Sequence, residues 1–201
     1  MKSLHCPHLF AWSTFDTERN IDFNSIAWIR PAGNILIDPL PLSEHDWKHL
    51  QALGGAAWII LTNSDHIRAS QEIASQTSAQ IAAPSLEQST FPIPCNRWLQ
   101  DGDEVVEGLQ VIELHGSKTP GELALLLEET TLITGDLVRA HQPHRLMLLP
   151  DAKLKDKSAA LASLKRLAEL EKVETVLVGD GWSIFSQGHQ YLHNLANLSV
   201  N

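Results

Sequence analysis

Four short polar segments in this sequence put acid, base or metal-binding side chains next to apolar runs. Asn63-Ser64-Asp65-His66 follows Ile59-Ile60-Leu61, Gly135-Asp136 follows the run Thr131 to Thr134, and Gly179-Asp180-Gly181 follows Thr175 to Val178. The fourth, Gly116-Ser117-Lys118-Thr119-Pro120-Gly121, leads into Glu122 to Glu128. Asp65, His66, Asp136 and Asp180 are metal-capable or acid/base side chains that each follow a buried run, and Lys118 is an ammonium in the fourth segment. Taken singly, each segment also reads as a solvated turn or helix cap.

The elements that must position these segments alternate between strands and helices. Leu9 to Phe15, Ser25 to Arg30 and Asn34 to Asp38 read as a β-meander, with Gly33-Asn34 supplying a turn. Ser43 is an N-cap for a helix through Leu53 that Gly54-Gly55 ends, and Ala57 to Leu61 is a buried strand. A helix from Ile67 to about Ser78 and a strand Gln80 to Ala83 complete a β-loop-α-β unit, whose polar residues lie where α/β sites tend to sit. Pro84 to Asn96 reads as irregular. Leu109 to His115, Glu122 to Glu128 and Thr131 to Thr134 imply a second sheet. A loop holding His141, Pro143, His144 and Pro150 then leads to a helix capped by Asp156. The strand Thr175 to Val178 and a helix from about Ser186 to Leu198 close the chain. Two sheets packed face to face with helices outside would bury both sets of strands.

Composition agrees with one domain over residues 1–201: 43% of side chains are hydrophobic and 19% charged. A chain of this size buries about 70% of its unfolded surface, so no metal is needed merely to hold the core. The formal charge of −9 repels a nucleic-acid backbone, and no basic cluster is visible along the sequence. Cys6 and Cys95 lie far apart, make no CxxC, and suggest a reducing compartment. His5, Pro7 and His8 interrupt the apolar residues near Met1, and no window reaches the roughly 20 apolar residues of a membrane span. The expectation is a cytoplasmic protein, monomer or homodimer, acting on a small molecule and not on nucleic acid or membrane.

From Ile35 through Gly181 the motifs resemble those of the metallo-β-lactamase superfamily. Leu36-Ile37-Asp38-Pro39 is similar to the family's first motif, and Ile59-Ile60-Leu61-Thr62 followed by Asp65-His66 to the tail of its His-x-His-x-Asp-His signature. Ser117-Lys118-Thr119-Pro120-Gly121 is similar to the Gly-His-Thr-Pro-Gly turn, Thr134-Gly135-Asp136 to the bridging-Asp motif, and Gly179-Asp180-Gly181 to the family's Gly-His-Gly. The resemblance implies a four-layer αβ/βα sandwich of two mixed sheets with helices on the outer faces. It also implies a site for two metals, one held by three histidines and the other by an Asp, two histidines and the shared Asp.

The sequence departs from that pattern at the first metal: Leu61 and Asn63, or Asn63 alone after a two-residue deletion, replace two histidines, and Lys118 replaces the third. The second site keeps Asp65, His66 and Asp136 and has Asp180 for a histidine, so the resemblance implies three carboxylates and one imidazole, a hard donor set for a single Zn, Mn or Fe(II) ion whose bound water is the nucleophile. Lys118, where the first metal would lie, either stabilises developing oxyanion charge or neutralises the carboxylates in a cluster that binds no metal. Two functions from different classes follow. One is a divergent metal-dependent hydrolase with one divalent metal on Asp65, His66, Asp136 and Asp180, Asp65 and Lys118 assisting catalysis, and an ester, thioester, amide or phosphoester as substrate. The other is a catalytically silent binding or scaffold protein, without metal, in which Lys118 and the carboxylates form an ion-pair network. Oxygen chemistry at mononuclear iron is more remote, because relatives that perform it keep histidines absent here. Asp38 is expected to orient a ligand, and Asn63, His115, His141, His144 and Trp182 are further candidates for substrate contact. His189 and His193 lack the glutamate of a His-Glu-x-x-His motif and read as a helix surface.

Overall fold

The computed structural model describes residues 1–199. A seven-stranded sheet holds β1 (Lys2–Ser3), β2 (Leu9–Asp16), β3 (Ile21–Trp28), β4 (Ile35–Ile37), β5 (Trp58–Ile60), β6 (Gln80–Pro84) and β7 (Arg97–Leu99) in sequence order. Its first four strands are an antiparallel meander and its last three add in parallel. The parallel steps require crossovers, and α1 (Glu44–Ala52) and α2 (Ser70–Thr77) supply two of them.

The second sheet comprises β8 (Glu104–Val106), β9 (Leu109–Leu114), β10 (Glu122–Leu127), β11 (Thr131–Thr134) and, after intervening segments, β14 (Thr175–Val178), in the order β14-β11-β10-β9-β8. The intervening segments are the hairpin β12 (Val138–Gln142) and β13 (Arg145–Leu148), then α3 (Lys157–Ala168). Helix α4 (Gly188–Ser199) follows β14.

Side-chain alternation dictates the layering. Successive strand residues point to opposite faces, and here both faces are buried. Ile35 and Ile37 of β4 and Ile60 of β5 meet Leu123, Leu125, Leu127 and Leu177 in a core between the two sheets. Leu36, Ile59 and Ala83 face the other way, onto Leu50 of α1 and Ile73 of α2. On the second sheet Ala124, Leu126, Val176 and Val178 pack against Leu164 and Leu167 of α3 and Leu192 of α4. The result is helix, sheet, sheet, helix, and it explains why the strands read as continuous apolar runs and not as alternating ones.

Caps fix the helix starts: Ser43 accepts the Asp46 N–H at 3.1 Å, and Asp156 accepts that of Ala159 at 3.0 Å. Several expected boundaries move. The second strand begins at Ile21, because Asp16 accepts the Glu18 and Arg19 N–H groups and turns the chain early. The helix expected from Ile67 starts at Ser70, because Asn63 caps a single 3-10 turn over Ser64–His66 and Arg68 takes a left-handed φ of 44°. The loop expected after Asp136 is instead the hairpin of β12 and β13. Val138, Ala140 and Leu146 bury against the second core, and His144 occupies the turn with φ 58°. Cys6 and Cys95 are free thiols. Among the described residues no helix is long and apolar enough to cross a membrane.

Candidate functional site

Parallel pairing brings the polar segments together. Ile37 pairs with Ile60, and Thr134 with Val178. Asp38 and Thr62 therefore emerge side by side from one sheet, and Gly135-Asp136 and Gly179-Asp180 from the other. Asp38 is buried, with φ 48°, and its carboxylate accepts the Thr62 N–H at 2.8 Å and the Thr62 hydroxyl at 2.6 Å. Its Oδ2 also faces His66 Nδ1 at 2.7 Å, while His66 Nε2 lies 3.5 Å from Asp136 Oδ2. Burial alone would lower the His66 pKa, but carboxylates on both ring nitrogens push it up to about 10. His66 is therefore an imidazolium at neutral pH.

Asp136 is the hub of the cluster. Its Oδ2 accepts the Asn63 amide at 3.0 Å and Lys118 Nζ at 2.9 Å, and its Oδ1 accepts Arg139 Nη2 at 3.1 Å. Burial would raise the Asp136 pKa, but His66 and Lys118 hold it well below the usual carboxylate range. Lys118 also reaches Asp65 at 2.8 Å, and although its partial burial favours the neutral amine, Asp136 and Asp65 raise its pKa. Beneath the cluster Glu122 is fully buried, accepting the Leu137 N–H at 2.8 Å and the Ser117 hydroxyl at 2.5 Å. Burial and the neighbouring Asp136 push its pKa up to about 7.

Arg139 comes from β12 and donates to Asp180 Oδ2 at 2.5 Å. Its strand is pinned to the Asp180 turn by the Ala140 N–H donating to the Asp180 carbonyl at 3.1 Å, and by the Trp182 N–H donating to the Ala140 carbonyl at 2.7 Å. The approach is close enough to require glycine between them. Gly181 has φ +92°, and a Cβ there would lie 2.0 Å from the Ala140 oxygen.

Donor atoms of His66, Asp136 and Asp180 lie within 4.8 Å of one another, a spacing that suits one metal ion. Their chemistry does not fit one. Asp136 already accepts from Asn63, Lys118 and Arg139. Arg139 cannot deprotonate, and its guanidinium bridges the two carboxylates that would share the ion. One carboxylate oxygen, Asp180 Oδ1, is buried without a hydrogen-bond partner. Lys118 and Arg139 thus stand on Asp136 and its neighbours as two fixed cations.

The structure brings together His66, Asp136, Asp180 and Lys118, with Asn63 and Asp38 supporting them. Asp65 lies at the rim, half-exposed, bonded to Lys118 and outside the metal-capable trio. A cavity of about 700 Å³ opens over these residues and is also lined by His141. Burial, and then Arg139, lower the His141 pKa, and its Nε2 is buried without a partner. His115 lies outside the cavity, paired with Glu113 at 3.4 Å, and His144 is exposed at the hairpin turn. Trp182 is 58% exposed and lines a different cavity, of about 740 Å³, beyond Gly181. Sequence reasoning did not find Arg139, Glu122 or Arg68. The signal for Arg139 was a lone cation in the otherwise apolar run Leu137-Val138-Arg139-Ala140, since arginine is almost never buried unpaired.

Comparison with known proteins places this geometry. The chain matches the family described as metallo-beta-lactamase superfamily over residues 1–198. No curated protein matches it by sequence. Among solved structures it is similar to the DIM-1 metallo-beta-lactamase, with TM-score 0.75 and 15% identity over 98% of this chain and 96% of that one. It is also similar to a metallo-beta-lactamase from Pontibacter korlensis, with TM-score 0.75 and 15% identity over 99% and 98% of the two chains. A third relative, TTHA1623 in a di-iron-bound form, gives TM-score 0.70 and 22% identity over 92% and 98%. The two-sheet sandwich with outer helices is that fold.

Proposed function

The chain belongs to the metallo-β-lactamase superfamily, and from that premise we propose that it is a small-molecule-binding member whose site works without metal, Lys118 and Arg139 carrying the positive charge instead. The observation that carries this reading is the Arg139 guanidinium bridging Asp136 at 3.1 Å and Asp180 at 2.5 Å. Hydrolysis by activated water needs a base to take the proton. His66 is already protonated, Asp136 is too weak a base, and Asp65 is bonded to Lys118. His141, in the cavity wall, offers its unpartnered Nε2 as a hydrogen-bonding group for a ligand. Binding is therefore the chemistry these residues serve best.

One observation favours a second reading, the metal-dependent hydrolase. His66, Asp136 and Asp180 are grouped closely enough for one ion, and Asp180 Oδ1 has no partner. That reading needs Arg139 displaced and His66 neutral. Elemental analysis of protein purified without a metal-affinity tag separates the two. The metal-free reading expects a metal-to-chain ratio near zero in both wild type and Asp180→Asn, with no chelator-sensitive turnover of 4-nitrophenyl acetate or 4-nitrophenyl phosphate. A ratio near one that Asp180→Asn abolishes, with turnover lost to chelator, would establish the hydrolase instead.

A further inference from the structure

The cavity over the ion-pair cluster is cationic in an acidic protein. Of the fifteen lysines and arginines in the chain, five line it: Arg19, Arg68, Lys118, Arg139 and Lys153. Only three of its twenty-four acidic residues do so, namely Asp65, Asp136 and Asp180. Chance would give more acids than bases here, because the chain as a whole carries −9. Lys118 and Arg139 are engaged by the three carboxylates. The other cations are not. Arg68 donates to the Asn24 and Asp38 carbonyls at 2.7 and 2.9 Å, which fixes its position and leaves its charge unopposed. Lys153 is exposed and forms no ion pair among the described residues. Arg19 meets Asp16 only at 4.0 Å.

The walls add a second requirement. Arg19 and Arg68 both stand over the Phe23 ring, at 5.6 and 5.8 Å, and Ile21, Leu40 and Pro150 complete an apolar side. At about 700 Å³ the cavity has the volume of a small-molecule site. With His66 matched by the buried Asp38, a ligand that satisfies the cavity has an anionic head carrying about two charges, to match five cations against three carboxylates, and a flat or apolar body to rest against Phe23. A phosphomonoester has that charge at neutral pH and three acceptor oxygens for guanidinium and ammonium donors.

Resting on the metal-free binding reading above, we propose that this cavity binds a phosphomonoester of a small, partly apolar molecule, its phosphate held by Arg68, Lys153 and Arg19. Titration of phenyl phosphate into chelator-treated protein at low salt, followed by calorimetry, tests this. One molecule per chain is expected to bind, with affinity falling as salt is added. Benzyl alcohol, which has the body without the charge, is expected not to bind. Lys153→Gln, a change at an exposed side chain that leaves folding intact, is expected to weaken phenyl phosphate about tenfold. Lys155→Gln, which removes an equal charge outside the cavity, is expected to leave affinity unchanged. Equal affinity in wild type and Lys153→Gln, or no binding with or without added zinc, overturns the proposal. Binding that appears only with zinc and still weakens in Lys153→Gln upholds this ligand class and overturns the metal-free reading.

Discussion

Arg139 and Asp180 meet at 2.5 Å although 41 residues separate them in the chain. The contact joins β12 to the end of β14 and, through Asp136 Oδ1, closes a ring of charge across the mouth of the second sheet. Each member of that ring is buried, so removal of any one strands the others.

Arg139→Ala is the most direct test of the ring. It leaves Asp136 and Asp180 buried with one cation fewer, and stranding buried charge of this kind costs about 3–5 kcal/mol. Urea denaturation should register that loss. The same substitution frees carboxylate oxygens beside His66, so zinc is expected to raise the melting temperature of the variant and not that of wild type.

Lys118→Ala is expected to cost less. Lys118 is 28% exposed, Asp65 is half in solvent, and Asp136 keeps Arg139 and Asn63 as partners. A loss of about 1–2 kcal/mol follows. A double-mutant cycle with Asp136→Asn should show coupling between the two, because they share one contact at 2.9 Å.

The state of His66 predicts a pH dependence. Its pKa is about 10 in the folded protein against an ordinary 6.5, so the folded state binds the proton more tightly than the unfolded chain. The stabilisation is complete below about pH 6.5, declines as pH rises, and is gone above about pH 10. Denaturation of wild type and His66→Gln across pH 6 to 10.5 should give a stability difference that narrows steadily with pH. A difference that does not change with pH would contradict the imidazolium.

Gly181→Ala should destabilise the protein by about 2 kcal/mol or more. The new Cβ would meet the Ala140 oxygen at 2.0 Å in a backbone already at φ +92°. Relief requires β12 to move away, carrying Arg139 from Asp180. Thermal denaturation of the variant should register the loss as a fall in melting temperature.

The sequence carried the fold in its doubly buried strands. Leu123 to Leu127 and Val176 to Val178 are apolar at every position because one sheet face meets the other sheet and the opposite face meets helices. Motif order supplied the rest, and Asp136, Asp180, His66 and Lys118 do converge. Three things were not legible. The place of Asp65 in its motif puts it with the metal-capable residues, but the 3-10 turn capped by Asn63 leaves it at the rim. Arg139 was lost inside a stretch read as loop, since its partner Asp180 comes from another strand and no local spacing predicts the meeting. The cationic lining was hidden for the same reason: Arg19, Arg68 and Lys153 are scattered over more than a hundred residues and become neighbours only in the cavity.

Holding the carboxylates with Lys118 and Arg139 also removes a dependence on supply. A bound ion stabilises a fold by mass action, in proportion to the logarithm of its free concentration. Side chains of the same polypeptide are present at a fixed effective concentration that no chelator or metal buffer can alter. In the metal-free reading proposed above, the three carboxylates of this site have their counter-cations as soon as the chain has folded.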